Sequence, residues 1–359
     1  MKRRWVRWLP AAVVPAVIGA GVLIAPLAAG AADLPSKSPQ EVLALVSSSD
    51  SRAFSGTIEQ TSDLGLPTLP STSPGSGSGT GSSEADVSSA LELLTGSHKA
   101  QVAVDGPGKV RVQVLDELAE RDVVRNGDDV WLYESTGQKV THITLPSRTA
   151  ESVPDASELT PSALAQRFLA AVDPSTSVTL GDATKVAGRD AYDLVLTPRT
   201  DATLVGSVSI AVDGSTGIPL RVQVDARGQK QTAVSVEFSS FSADKPAASR
   251  FSFTPPAGAS VTEKNLADNG SRIKSHPGAE TAEHPEPVVT GSGWDAIVTL
   301  PAGTASASVT SSPLFAQLTS AVDGGHALST ALVSLLVTDD GRVLVGAVPV
   351  SALQAVASK

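Results

Sequence analysis

From residue 98 onward the chain alternates apolar and polar positions with a period of two, the signature of strands that bury one face and wet the other. Val110, Val112 and Val114 point one way while Arg111 and Gln113 point the other. The same alternation returns in Tyr192, Leu194 and Leu196, in Val208, Ile210 and Val212, in Leu220, Val222 and Val224, and in Val234, Val236 and Phe238. Turn-forming runs separate these segments, among them Asp105-Gly106-Pro107-Gly108, Asn126-Gly127-Asp128-Asp129 and Asp213-Gly214-Ser215-Thr216-Gly217. The pattern predicts an α+β protein built on one large antiparallel sheet of about ten strands.

Three helices are available to cover its apolar face. Ser38-Pro39-Gln40-Glu41 is a capping box with proline in the first turn, predicting a helix to about Ser48. A short helix is expected at Asp86–Leu94, and a third runs from Pro161 to Val172 behind Thr160. Phe54–Leu64 reads as a strand. In residues 67–83, sixteen of seventeen are Pro, Ser, Thr or Gly, a composition that cannot build a core and reads as a loop. Trp131 and Tyr133 share one strand face and Val130 and Leu132 the other, which predicts burial on both sides. So few helices over so wide a sheet leave room for a gap in the cover and an apolar hollow, although the same Val, Leu and Ile residues would equally make an ordinary packed core.

The periodic pattern stops at Phe251–Pro256, and residues 264–292 read as a linker. A small module follows in 293–359. It is expected to contain a strand at Trp294–Leu300, a helix at Pro313–Val322, a hairpin of Ala331–Val337 and Arg342–Val348 about Asp339-Asp340-Gly341, and a helix at Ser351–Ala357.

Composition sets the compartment and removes function classes. The chain has 359 residues, a net charge of −10 and no cysteine. Disulfides, thiolate metal sites, a cysteine nucleophile and a lipid-modified N-terminal cysteine are therefore excluded. Lys2, Arg3, Arg4 and Arg7 precede an apolar run through Ala32, the order of an export signal whose ten-residue uninterrupted core, Ala16–Ala25, is short for a membrane span. Residues 1–32 are read as a signal peptide, with a retained anchor as the alternative, and the acidic remainder is expected outside the cytoplasmic membrane. That acidity also argues against a nucleic-acid partner.

No P-loop, nucleophile elbow, zinc-protease or EF-hand motif is present. His276 and His284 read as exposed linker residues rather than metal ligands. His98, His142 and His326 are too widely spaced to define a site, and no serine sits in a strained glycine turn. No catalytic residue, metal or cofactor is expected, so the protein is read as not an enzyme.

The phrases Lys109-Val110-Arg111-Val112, Arg125-Asn126-Gly127-Asp128-Asp129-Val130-Trp131-Leu132-Tyr133 and Val212-Asp213-Gly214-Ser215-Thr216-Gly217-Ile218-Pro219-Leu220 resemble exported bacterial proteins of the LolA-type lipoprotein-carrier superfamily. That superfamily includes regulators of the RseB/MucB type. The resemblance covers about residues 33–258 and implies, for a domain of residues 33–263, an unclosed, curved half-barrel whose apolar side accepts acyl chains. It implies a lipid or lipoprotein acyl chain as ligand and, alternatively, the extracytoplasmic part of a membrane signalling protein such as an anti-sigma factor as partner. The cavity-lining residues expected on this basis are Val110, Val112, Val114, Tyr192, Leu194, Leu196, Val208, Ile210, Leu220, Val222, Val224, Val234 and Val236.

Overall fold

The computed structural model describes residues 34–49, 53–66, 96–106, 108–115, 120–145, 160–265, 287–305 and 310–359. The expected signal segment, the Pro/Ser/Gly loop, the helix at Asp86–Leu94 and the pair His276 and His284 lie outside them.

Helix α1 spans Pro39–Ser47 and starts as its sequence dictates. The Glu41 N–H donates to Ser38 Oγ at 3.3 Å while the Ser38 N–H donates to Glu41 Oε2 at 2.7 Å, so two helix-end donors are satisfied reciprocally. Val42 and Val46, one turn apart, are the residues this helix buries. Helix α2, Pro161–Ala170, is capped by Thr160, whose Oγ1 accepts from the Ala163 N–H at 3.2 Å. It lays Ala165 and Phe168 into the same core.

Both helices pack with a 13-stranded sheet. Its strands are β1 (Phe54–Ser62), β2 (Gly96–Val104), β3 (Lys109–Leu115), β4 (Glu120–Asn126), β5 (Asp129–Glu134), β6 (Lys139–Thr144), β7 (Thr176–Leu180), β8 (Thr184–Val186), β9 (Arg189–Pro198), β10 (Val205–Asp213), β11 (Pro219–Ala226), β12 (Thr232–Ser242) and β13 (Ser260–Asn265). The spatial order is β13-β6-β5-β4-β3-β2-β1-β12-β11-β10-β9-β7, with β8 beside β9. The two ends do not pair, so the sheet is unclosed. All pairings are antiparallel except β13 with β6, which is parallel. That strand lies beyond the point where the sequence pattern ends: Ser260–Asn265 holds Val261 as its single apolar residue and carries no apolar period to announce it.

The turn between β10 and β11 is built around Asp213. Its carboxylate accepts from Arg189 Nε and Nη2, each at 2.8 Å, and from the Thr216 N–H at 2.8 Å. Burial raises this carboxyl, but those bonds, together with Ser215 and Thr216, outweigh it and lower it from its ordinary value. Gly217 closes this turn at φ +77°, and a Cβ there would lie 2.3 Å from the Leu45 carbonyl oxygen. The close approach of α1 to the hairpin therefore requires glycine.

The C-terminal module is a second, 6-stranded sheet in the order β14-β15-β19-β18-β17-β16. Its strands are β14 (Val288–Thr290), β15 (Ile297–Leu300), β16 (Ser320–Val322), β17 (Gly325–Ser329), β18 (Ser334–Thr338) and β19 (Val343–Gly346). Helix α3 covers only Pro313–Leu318. The expected continuation to Val322 is β16 instead, because Thr319 leaves the helical conformation at φ −109°, ψ 153° and the following residues pair with β17. Helix α4, Val350–Ala357, packs Leu353 with Ile297, Leu336 and Leu344.

This module is fastened to the large sheet. The Ala331 N–H donates to the Leu64 carbonyl at 2.9 Å, and the Ala347 carbonyl accepts from the Leu204 N–H at 2.8 Å and Thr203 Oγ1 at 2.7 Å. Trp294 Nε1 donates to Thr176 Oγ1 at 2.8 Å. Ala331, Leu332 and Ala347 belong to the main core rather than to the module's own.

Candidate functional site

The register brings all thirteen expected cavity residues onto one face. One row runs Leu194–Ile210–Val222–Val236 across β9, β10, β11 and β12, and another runs Leu196–Val208–Val224–Val234. Val102 opposite Val112 and Val104 opposite Val110 extend the face into β2 and β3. Each of the thirteen is at most 9% exposed, and all belong to a single contiguous core with Val42, Val46, Ala165, Phe168, Leu332 and Ala347. Here the protein's own side chains fill the face, with the C-terminal module adding apolar cover that sequence reasoning did not foresee.

The apolar face does not end with that core. Val112 is followed across the strands by Val123, Leu132 and Thr141, and Val110 by Arg125, Val130 and Ile143. Burial fades along the first row. Val112 is 2% exposed, Val123 is half-buried and Leu132 is 37% exposed. The expectation that Leu132 is buried is thus corrected. Its opposite face is covered, since Phe253 packs over Trp131 and Tyr133 with ring centroids 5.5 and 6.0 Å away, whereas Leu132 itself is exposed although Val130 and Arg125 on the same side are buried. Arg121, Arg125, Glu134 and Lys139 share this side with the strip of Val123, Leu132 and Ile143. Sequence reasoning missed the strip because charged residues interrupt the alternation on β4; pairing register alone reveals it.

Two polar side chains are buried on the apolar face where β1 meets β2, Gln60 and its cross-strand partner His98. Burial, reinforced by the neighbouring Arg121 charge, pushes the His98 imidazole down to about 3, so it is neutral at physiological pH. His326 lies in the module beside Phe315, so the widely spaced histidines are not gathered into one site. Among the described residues no cluster of three or more His, Asp or Glu is placed to hold a metal.

The opposite face is polar. In register across it lie Asp193, Ala211, Arg221, Glu237, Glu59 and Lys99 on six successive strands. Lys99 pairs with Glu59 at 2.6 Å, and Arg221 approaches Asp193 at 3.7 Å. A cavity of about 200 Å³ lies on this side, bordered by Gln101, Arg111, Gln113 and Arg250 together with Val102 and Ala103, a lining of mixed character. Burial raises the Glu237 carboxyl; Arg221 offsets part of this and Glu59, directly opposite, adds to it. A carboxyl raised in the folded state contributes stability that is complete below its ordinary value of 4.5 and is lost as pH rises through the folded value. Glu237→Gln is therefore expected to stabilise the protein at pH 7 and to lose that advantage toward pH 4. Urea midpoints at the two pH values check this; an advantage equal at both would contradict it.

An open sheet with two sharply different faces, a small second sheet docked on it, and no gathered catalytic or metal constellation among the described residues define a class: a two-module α+β protein organised around an apolar sheet face. The chain belongs to the family described as predicted periplasmic protein (DUF2092), whose model matches residues 79–263, just over half of it, and is placed outside the cytoplasmic membrane accordingly. No helix among the described residues is long and apolar enough to cross a membrane. No curated protein matches the chain in sequence.

Solved structures with a similar chain trace include MucB of Pseudomonas aeruginosa in its complex with MucA, at 17% identity and TM-score 0.42, covering 89% of this chain and 96% of that one. An uncharacterised conserved protein of Thermus thermophilus is 12% identical over 63% of this chain and 98% of its own, with TM-score 0.34. A LolA superfamily protein of Nitrosomonas europaea is 11% identical over 61% and 99%, with TM-score 0.24. The groups named by the sequence resemblance thus reappear among the similar structures, which at these identities assign no ligand or partner.

Proposed function

We propose that this envelope protein is not an enzyme and holds the acyl portion of a lipid or lipoprotein on the apolar face of its large sheet. The observation that supports this reading is the continuation of that face beyond the packed core to the exposed Leu132, flanked by half-buried Val123 and Ile143. The strip is the accessible surface offered to a chain, since the thirteen buried residues beside it are already packed against the protein's own side chains. Ten methylenes removed from water at about 0.8 kcal/mol each give about 8 kcal/mol gross, enough for reversible holding after the costs of ordering.

Leu132 is exposed, so substituting it tests binding without disturbing the core. Titration with a fluorescent long-chain fatty acid is expected to show binding by the native protein and at least about tenfold weaker binding by Leu132→Asp, with Leu132→Phe retaining it. Equal affinity in all three, or none in the native protein, would overturn the reading. A second reading is favoured by the close packing of the thirteen residues: the protein clasps the extracytoplasmic part of a membrane signalling protein. Capture of a stoichiometric membrane-protein partner by protein that binds no fatty acid would select it.

A further inference from the structure

Strand β13 is attached to the large sheet in an unusual way. It is the parallel strand at the edge, its six residues are all exposed, and the chain then continues through residues 266–286 to the module. Its backbone pairs with β6, beginning with the Ser260 N–H to the Gln138 carbonyl at 2.9 Å. Across this pair His142 on β6 stands directly opposite Glu263 on β13. Its Nδ1 lies 2.7 Å from Glu263 Oε2 and its Nε2 lies 2.8 Å from Asp129 Oδ1 on β5. The imidazole stacks on Trp131 with centroids 3.9 Å apart and planes 6° from parallel.

This geometry uses both ring nitrogens as donors, and only the imidazolium has two N–H groups. The neutral ring can serve one carboxylate and must present a lone pair to the other. Without the intervening positive charge, Asp129 and Glu263 also repel. The charged ring gains from the indole face beneath it as well. The ionisable groups facing His142 are Asp129 from β5 and Glu263 from β13, both acidic; Trp131 supplies the remaining wall.

We propose that β13 is a pH-releasable strap, fastened to the sheet edge by protonated His142 and freed when that proton leaves. Release would give the connection to the C-terminal module six more residues of reach, about 20 Å when extended, and bare the edge of β6. Partial burial works against the charged ring, but its bonds to Asp129 and Glu263 outweigh this and raise it above the usual imidazole value of 6.5. The strap is accordingly complete below that value and loosens as pH rises through the folded one.

The test is hydrogen exchange on the full-length exported chain at pH 5.5 and 8.5, corrected for intrinsic rates. Protection in residues 260–265 is expected to fall about tenfold or more between the two, while β9–β12 stay unchanged. His142→Gln should show low protection at both pH values, and Glu263→Gln, on an exposed side chain, should shrink the fall. Unchanged native protection, a fall of full size in either variant, or an equal fall in β9–β12 would overturn the proposal. If His142→Gln does not fold, Glu263→Gln decides.

Discussion

Asp213→Ala is expected to cost about 3–5 kcal/mol of folding stability, read as a large drop in urea midpoint. The carboxylate is almost wholly buried and gathers a two-point ion pair with Arg189, the Thr216 N–H and two hydroxyls into one turn. Removing it strands the Arg189 guanidinium, which is itself only partly exposed, and leaves the turn's donors without their acceptor. The damage extends beyond the hairpin because Gly217 in this turn touches the Leu45 carbonyl, so the turn positions α1 over the apolar face. Asp213→Asn, which keeps the shape and loses the charge, is expected to fall between the two. A loss below about 1 kcal/mol for Asp213→Ala would show that the turn does not organise the helix.

Leu332→Asp is expected to be equally severe and different in kind. Leu332 is 2% exposed and lies in the main core although it belongs to the loop joining β17 to β18 of the module. A carboxylate there has no partner and replaces a side chain whose burial is worth about 1.5–3 kcal/mol, for a total of about 4 kcal/mol or more. Since the module adds cover to the large sheet, the native chain is expected to unfold in one transition and the variant in two. The module's Trp294, which donates to Thr176 across the junction, reports the separation by fluorescence. A single unshifted transition would show that the docking contributes nothing to the core.

The strongest features of this fold are local and were legible in the chain. Period-two runs such as Val208-Ser209-Ile210 allow only one arrangement when one side is buried, because a slip of one residue would turn the whole apolar set toward water. All thirteen expected residues therefore share a face. The caps at Ser38 and Thr160 were equally legible, since they concern residues three apart.

What escaped depends on long-range placement. Strand β13 has no apolar alternation and is held by pairing and by Glu263, whose partner lies 121 residues away. Ala331, Leu332 and Ala347 are ordinary apolar residues whose role as cover appears only when the module is docked. The same limit applies to the site: the alternation identified its wall, but docking filled that wall and moved the accessible portion to Val123, Leu132 and Ile143. There Arg121 and Arg125 obscure the pattern.

The most direct test of the central claim is mass spectrometry of the organic extract from exported protein purified without detergent. A copurified lipid or lipid-bearing species near one per chain is expected, strongly depleted in Leu132→Asp. An extract without lipid, from protein whose sheet is shown by circular dichroism to be intact, would contradict it.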